Sequence, residues 1–394
     1  MAQPAAPRAT PPALPAAHWS DAPLAWRDRL LGSARFRRWA EGFAPTRWVA
    51  RRRAGQVFDL VAGFVYSQVL LACVQLRLFD LLLAEGPHTL PALALRLNLP
   101  LASIERLVLA AVSLRLLAPR TQRRYGLGPL GAPLAGNPGL AAMVEHHVAL
   151  YRDLADPLAL LRGESGPGQL AGFWPYAGTE APDALPGRQL ADYSALMAAS
   201  QPLVAEQVLH VYPLQRHRRL LDVGGGDGAF ACAAAGHAPA LHVQVFDLPG
   251  VAARAAQRFA QAGLASRCSA QGGDFLRDEL PAGADLVTLL RVVHDHGDEP
   301  VLRLLRAVHR ALAKGGRLLL AEPLADTPGN QAMGHAYFGF YLMAMGSGQP
   351  RSEGRLRELL AEAGFTTVRR LPTPLPLQAS VLVADADSSN KCKC

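Results

Sequence analysis

Along the first half of the chain, apolar residues recur at helical spacing in long Leu/Ala/Val runs, from about Phe58 to Leu161. Around His217 the texture changes. Short apolar runs at Leu220–Val223, Val243–Phe246, Leu286–Leu290 and Leu318–Ala321 predict strands, and the stretches Gly250–Gln261 and Val301–Leu312 predict helices between them. A repeated strand–helix alternation means a parallel sheet with helices on its faces. Before it, residues 163–190 are dense in glycine and proline and predict a connection, or a lid over a site.

Within the helical half, Gly86-Pro87 opens a stretch that closes near Ala118-Pro119. A helix over Leu90–Leu97, a turn at Asn98-Leu99-Pro100 and a helix from Ile104 to Leu116 have helix-turn-helix spacing, and Tyr125-Gly126-Leu127 follows as a wing strand. DNA binding would need a recognition helix that offers several polar side chains to phosphates and base edges. Here Ile104–Val112 offers only Glu105 and Arg106. The helix is expected to be buried against another subunit, and no nucleic-acid partner is expected.

Half of the 394 residues are apolar and 18% are charged, which suits a large core and excludes wholesale disorder. The net charge of +8 is local: residues 1–54 hold ten arginines against Asp21, Asp28 and Glu41, leaving +7 there and +1 elsewhere. The first 17 residues are Ala/Pro-rich and predict a disordered lead without the pattern of a secretory signal. Residues 18–54 mix arginine with Trp19, Trp26, Trp39 and Trp48, and place Phe36, Trp39 and Phe43 on one helix face. Two readings stand for them: contact with an anionic membrane surface, or an arm packed on the body or on a partner subunit. The best spanning candidate, Leu60–Leu76, contains Ser67, Gln68 and Gln75, and its seventeen residues fall short of the roughly 20 that cross a bilayer. Five scattered cysteines (Cys73, Cys232, Cys268, Cys392 and Cys394) lack disulfide or zinc spacing, so a reducing cytoplasm is expected.

The first strand ends in Leu221-Asp222-Val223 and runs into Gly224-Gly225-Gly226-Asp227-Gly228, with a helix from about Ala229. Glycines there permit positive φ and close approach of a ligand to the backbone. The dinucleotide pattern G-x-G-x-x-G fails because Ala229 stands where the third glycine belongs. G-x-G-x-G is met by Gly224, Gly226 and Gly228, and with Asp222 ahead of it this is the pattern of S-adenosylmethionine sites, where Asp222 can help hold the ammonium group. Asp247 closes the next strand, 23 residues after Gly224, where a carboxylate can accept both hydroxyls of a ribose. Asp274 and Phe275 follow the third strand, where an acid and an apolar side chain can bracket an adenine.

The fourth strand ends in Arg291-Val292-Val293-His294-Asp295-His296, beyond the C-terminal edge where ligands of such sheets bind. His294 is the candidate general base. Asp295, Glu322 or both could orient its ring, since Glu322 closes the fifth strand. Sulfonium methyl transfer needs no metal, and none is assigned. Met333, Tyr337, Phe338, Tyr341, Met343 and Met345 are candidates for a lipophilic substrate pocket, or for the core face of a helix.

Together these elements resemble the class I S-adenosylmethionine-dependent O-methyltransferases with an N-terminal winged-helix dimerisation domain, over residues 60–385. The resemblance implies a Rossmann-like α/β methyltransferase domain with a mixed, mainly parallel seven-stranded sheet, preceded by a mainly α-helical winged-helix-like dimerisation domain. It divides the chain into an arm (1–54), a dimerisation and substrate-capping domain (55–215), a catalytic domain (216–385) and a tail (386–394). It implies a homodimer, makes His294 and Asp295 the catalytic pair, and adds Leu248 and Arg291 to the cofactor contacts.

Arg291–His296 and Ala336–Gly346 look closer still to the branch that methylates the tertiary 1-hydroxyl of acyclic carotenoids in purple photosynthetic bacteria. That branch implies a lipophilic substrate and a cytoplasmic protein in peripheral contact with the photosynthetic membrane. The alternatives are a (bacterio)chlorophyll-type pigment or an aromatic polyketide as acceptor, or a non-enzymatic S-adenosylmethionine-sensing regulator. Two departures stand out: His296 replaces a tryptophan common after His-Asp, and Pro350 stands where many members have a second glutamate.

Overall fold

The computed structural model describes residues 21–173, 201–376 and 379–386. The Ala/Pro-rich lead, Trp19, most of the glycine-rich segment to residue 190, and Cys392 and Cys394 lie outside the described residues. The chain divides into two compact units, one ending at Ala72 and one beginning at Cys73.

The first unit consists of α1 (Ala22–Gly32), α2 (Ala34–Gly42) and most of α3 (Ala44–Gln75). Extended residues at Ser33 and Phe43 break the helices, and the Ser33 hydroxyl caps α2 by accepting the Phe36 N–H. Phe36, Trp39 and Phe43 form a stack with centroids 5.6 and 5.0 Å apart, although Phe43 lies one residue past the helix end. The seventeen-residue candidate is part of a longer helix. α3 runs 32 residues and is long and apolar enough to cross a membrane, by length and composition alone. Asp59 bounds an apolar stretch without ending a helix; its carboxylate accepts from Tyr66, two turns further along the same face.

The second unit opens with α4 (Leu78–Glu85), α5 (Leu90–Leu97) and α6 (Leu101–Ser113), and a three-stranded antiparallel sheet, β1 (His88–Thr89), β2 (Leu117–Arg120) and β3 (Arg124–Leu127), in the order β1-β3-β2. This is the expected winged-helix pattern, with α6 shifted. It starts at Leu101 because Pro100 serves as its N-cap, and it stops at Ser113 because Arg115 turns the chain with φ 60°. Ile104, Val108 and Ala111 bury one face while Leu101 and Leu109 stay exposed.

α7 (Pro138–Asp153), α8 (Pro157–Leu161), α9 (Gln169–Phe173) and α10, described over residues 201–211, lead into a seven-stranded sheet. Its strands are β4 (Arg219–Val223), β5 (His242–Asp247), β6 (Cys268–Gly272), β7 (Ala284–Leu290), β8 (Leu312–Glu322), β9 (Val368–Leu371) and β10 (Ser380–Asp385). The order is β6-β5-β4-β7-β8-β10-β9, with β10 antiparallel to both neighbours. Successive residues serve opposite cores: Leu318 and Leu320 face α13 (Asp298–Ala311) and α15 (Glu353–Glu362), whereas Leu319 and Ala321 face α11 (Ala229–His237), α12 (Pro249–Gln261) and residues 201–211. β9 and β10 carry no glycine-rich turn or motif, and sequence reading passed over them.

Candidate active site

Five strands that are neighbours in space end on one edge, and each brings a titratable side chain there: Asp274 after β6, Asp247 on β5, Asp222 on β4, His294 after β7 and Glu322 on β8. The order of the strands, rather than the order of the chain, assembles the site.

Asp222 is fully buried. Its Oδ1 accepts from Thr288 Oγ1 at 2.6 Å, the residue paired with it across β4 and β7, while Oδ2 has no partner. Burial pushes this carboxyl up to about 7; the Thr288 hydroxyl opposes the rise and the Asp247 charge adds to it. A buried carboxylate oxygen without a donor fits a cationic ligand. Gly224, at φ 68°, leaves no room for a side chain, since a Cβ would lie 2.7 Å from Val292 and 3.7 Å from Phe275. Gly226, also at positive φ, faces open space and gives its N–H to Asp247 Oδ2 at 2.8 Å. The other oxygen, Oδ1, accepts the Leu248 N–H at 2.7 Å. Asp274 Oδ1 accepts from the Leu276 N–H at 2.9 Å, and the Phe275 ring meets His296 edge-on at 5.6 Å.

Beyond β7 the chain turns at Arg291, which takes a left-handed φ of 58°. The turn aims the Val292 and Val293 N–H groups at Glu322 Oε1, at 2.9 and 2.7 Å. Glu322 Oε2 bonds His294 Nδ1 at 2.6 Å. On the other side of the ring, Nε2 lies 3.0 Å from Asp295 Oδ1, but out of line for a hydrogen bond, and that buried oxygen has none. Burial alone would lower the pKa of His294. Asp295 and Glu322 outweigh it and raise the imidazole to about 10. Asp295 and Glu322 therefore both act on His294, but only Glu322 orients it by a hydrogen bond.

Sequence reading missed the segment that holds this turn from below. Ser347 Oγ donates to Asp295 O at 3.0 Å and Gln349 N to His294 O at 3.0 Å. Gly348 passes so close that a Cβ would lie 2.3 Å from His294 O. Arg351 is buried and gives three bonds, to Asp298 Oδ1 (2.8 Å), Val293 O (2.7 Å) and His296 O (2.7 Å). The available signal was an arginine between Pro350 and the α15 cap Ser352, which sequence alone cannot tell from a surface residue.

The expected pocket residues divide. They lie on a π-helical turn, Ala332–Phe338, that continues into α14 (Gly339–Met345). Phe338 meets His294 edge-on at 6.1 Å. Tyr337 and Tyr341 pair through their hydroxyls with His147 and His146 of α7, at 2.8 and 2.9 Å. Burial pushes the Tyr337 phenol up to about 12, against the opposing charge of Arg291. Met333 is half-buried. Met345 belongs instead to the core, packed with Leu150 and Leu170, and Met343 is exposed. The α-helical period carries Met345 to the inner face.

Residues 151–366 match the O-methyltransferase domain, and residues 58–136 match the O-methyltransferase dimerisation domain. The chain belongs to the O-methyltransferase family. It is 44% identical over 356 residues to the demethylspheroidene O-methyltransferase of Cereibacter sphaeroides, covering 90% of this chain and 93% of that one. It is 43% identical over 338 residues to the demethylspheroidene O-methyltransferase of Rhodobacter capsulatus, covering 86% and 83%. The crystal structure of human N-acetylserotonin methyltransferase in complex with SAM superposes with a TM-score of 0.70 at 26% identity, over 85% of this chain and 98% of that one. The protein is an S-adenosylmethionine-dependent O-methyltransferase, and the orphan oxygen of Asp222 beside the glycine loop fits that cofactor. Its dimerisation domain supports a homodimer.

Proposed function

We propose that this methyltransferase methylates the tertiary 1-hydroxyl of an acyclic hydroxy-carotenoid, with His294 as general base. The observation that carries the substrate is the near full-length similarity to two enzymes named for demethylspheroidene. The pocket wall supports it. With Tyr337 and Tyr341 hydroxyls taken by His147 and His146, the residues near His294 offer ring faces, which suit a polyene with little to hydrogen-bond. An acceptor of this kind resides in a bilayer, so the protein is expected in the cytoplasm in peripheral contact with the membrane.

The cofactor supplies an activated methyl group and a positive charge. Asp222, Gly224 and Gly226 would hold its methionyl end, Asp247 and Leu248 its ribose, and Asp274 and Phe275 its adenine. Arg291 sets the turn that lies between this loop and the base. Entry of a cation into the cleft lowers the pKa of His294 and so favours the neutral imidazole that a base requires.

A tertiary alcohol lies roughly ten pKa units above ordinary histidine, so full prior deprotonation would cost about 14 kcal/mol. Nε2 therefore takes the proton as the carbon–oxygen bond forms. The imidazolium that results sits between Glu322 and Asp295, the two charges that favour it. Purified protein offered labelled cofactor with a 1-hydroxy carotenoid, a bacteriochlorophyll-type pigment and an aromatic polyketide tests the substrate. Label is expected in the carotenoid, and label in either of the others alone would overturn it.

A further inference from the structure

The cofactor loop Gly224–Gly228 contains one residue with a side chain, Asp227, and the chemistry above gives it no part. Strand β5 holds the first half of the loop: Phe246 O accepts the Gly224 N–H at 2.8 Å, and Asp247 Oδ2 accepts that of Gly226 at 2.8 Å. The second half is held by α12. Arg258 Nε donates to the backbone oxygen of Asp227 at 3.1 Å, and its Nη2 donates to Asp227 Oδ2. One residue further on, the buried Phe259 ring packs on Gly228, where a Cβ would come within 2.6 Å of it. The Asp227 side chain is only 14% exposed, so its charge is largely withdrawn from water and met by the guanidinium.

We propose that Arg258 is a positioning residue for the cofactor, clamping the second half of the glycine loop in its binding conformation. A guanidinium is a planar fork. Here its two prongs take the main chain and the side chain of one residue, which fixes that residue's orientation as well as its place. The residue so fixed lies between Gly226 and Gly228, both at positive φ (61° and 79°). Glycine has the most backbone freedom to lose, so a loop of this composition left loose must be ordered by its ligand at a cost in affinity. A loop ordered beforehand spares the cofactor that cost. Because Arg258 acts through Asp227, substitutions at the two residues are expected to be coupled, not additive.

The clamp rests on the reading that this loop holds S-adenosylmethionine, and Asp222→Asn reports on that reading separately. The test is calorimetric titration of the full chain with S-adenosylmethionine, for the wild type, Arg258→Ala, Arg258→Lys, Asp227→Ala and the double variant Asp227→Ala/Arg258→Ala. Tm and hydrogen exchange over residues 224–228 are measured for each, and no acceptor enters the measurement. Arg258→Ala is expected to raise Kd about tenfold and to speed exchange in the loop. Asp227→Ala leaves the backbone oxygen to the arginine and should raise Kd about threefold, and the double variant should bind no more weakly than Arg258→Ala alone. Arg258→Lys, with one donor group in place of a fork, should fall between the wild type and Arg258→Ala. This variant and Asp227→Ala carry the test if Arg258→Ala fails to fold. An unchanged Kd in Arg258→Ala beside a weakened Asp222→Asn overturns the clamp alone, whatever happens to Tm. An unchanged Kd in both overturns the loop reading and the clamp with it. Fully additive effects of Asp227→Ala and Arg258→Ala also overturn the clamp, since they would put Arg258 on the cofactor directly.

Discussion

Glu322 holds His294 twice over: its Oε2 bonds the ring at Nδ1 at 2.6 Å, and its Oε1 takes the N–H groups of Val292 and Val293, the two residues that lead the chain to that ring. One buried carboxylate fixes both the imidazole and the backbone that presents it. Three hydrogen bonds leave it no freedom to follow a departing proton, so with His294 as the proposed base the expected part of Glu322 is electrostatic and positional.

The raised pKa of His294 gives the pH dependence a definite sign. The free protein keeps the ring protonated at neutral pH, and a base must be neutral, so kcat/KM is expected to rise with pH above 7, by up to about tenfold per unit. Glu322→Gln removes one of the two anions. It should move the rise to lower pH and lower its plateau, as the rate profile of each protein would reveal.

Asp222 has the opposite arrangement, a carboxyl raised to about 7 by burial with one oxygen unpartnered. Its folded pKa lies above the unfolded value, so ionisation opposes folding as pH rises through 7. Asp222→Asn should therefore raise Tm at pH 8 while weakening cofactor binding at least tenfold. Differential scanning calorimetry and calorimetric titration would read the two effects separately.

Arg351 touches no reacting group, but it anchors the carbonyls on both sides of His294. Arg351→Ala takes the guanidinium donor from two carbonyls, while Asp298 keeps its bonds from Gln349 and Arg355, so a loss of about 2–4 kcal/mol is expected. kcat should fall while the cofactor Kd stays near wild type. Arg351→Lys, with one donor group instead of a fork, should recover stability better than kcat.

Tyr337 and His147 join α7 to the helix that carries Phe338. Tyr337→Phe removes one hydrogen bond and keeps the ring, so a loss of about 1 kcal/mol is expected by denaturant titration. Because the hydroxyl is tied to His147 and not offered to substrate, kcat should change less than twofold.

What sequence could supply follows from physics that acts locally. Gly224 and Gly226 declare themselves because positive φ selects glycine, and Asp222, Asp247, Asp274, His294 and Glu322 because strand ends in a parallel sheet share an edge. Arg351 was hidden because burial of an arginine depends on carbonyls more than fifty residues away. Pocket and core stayed open alternatives for Met345, because a helix whose outer and inner faces are both apolar gives no phase. The shift of α6 arose from Arg115, a residue type that rarely takes positive φ.

The most direct test of the central claim is mass spectrometry of the lipid-soluble product formed from labelled S-adenosylmethionine and a 1-hydroxy acyclic carotenoid, by the wild type and by His294→Ala, with the cofactor Kd measured for both. A labelled methoxy-carotenoid from the wild type, and a rate at least about 100-fold lower in the variant at an unchanged Kd, is the predicted result. A His294→Ala protein that forms the product at the wild-type rate would place the base elsewhere, and an unlabelled carotenoid beside intact cofactor binding would contradict the acceptor.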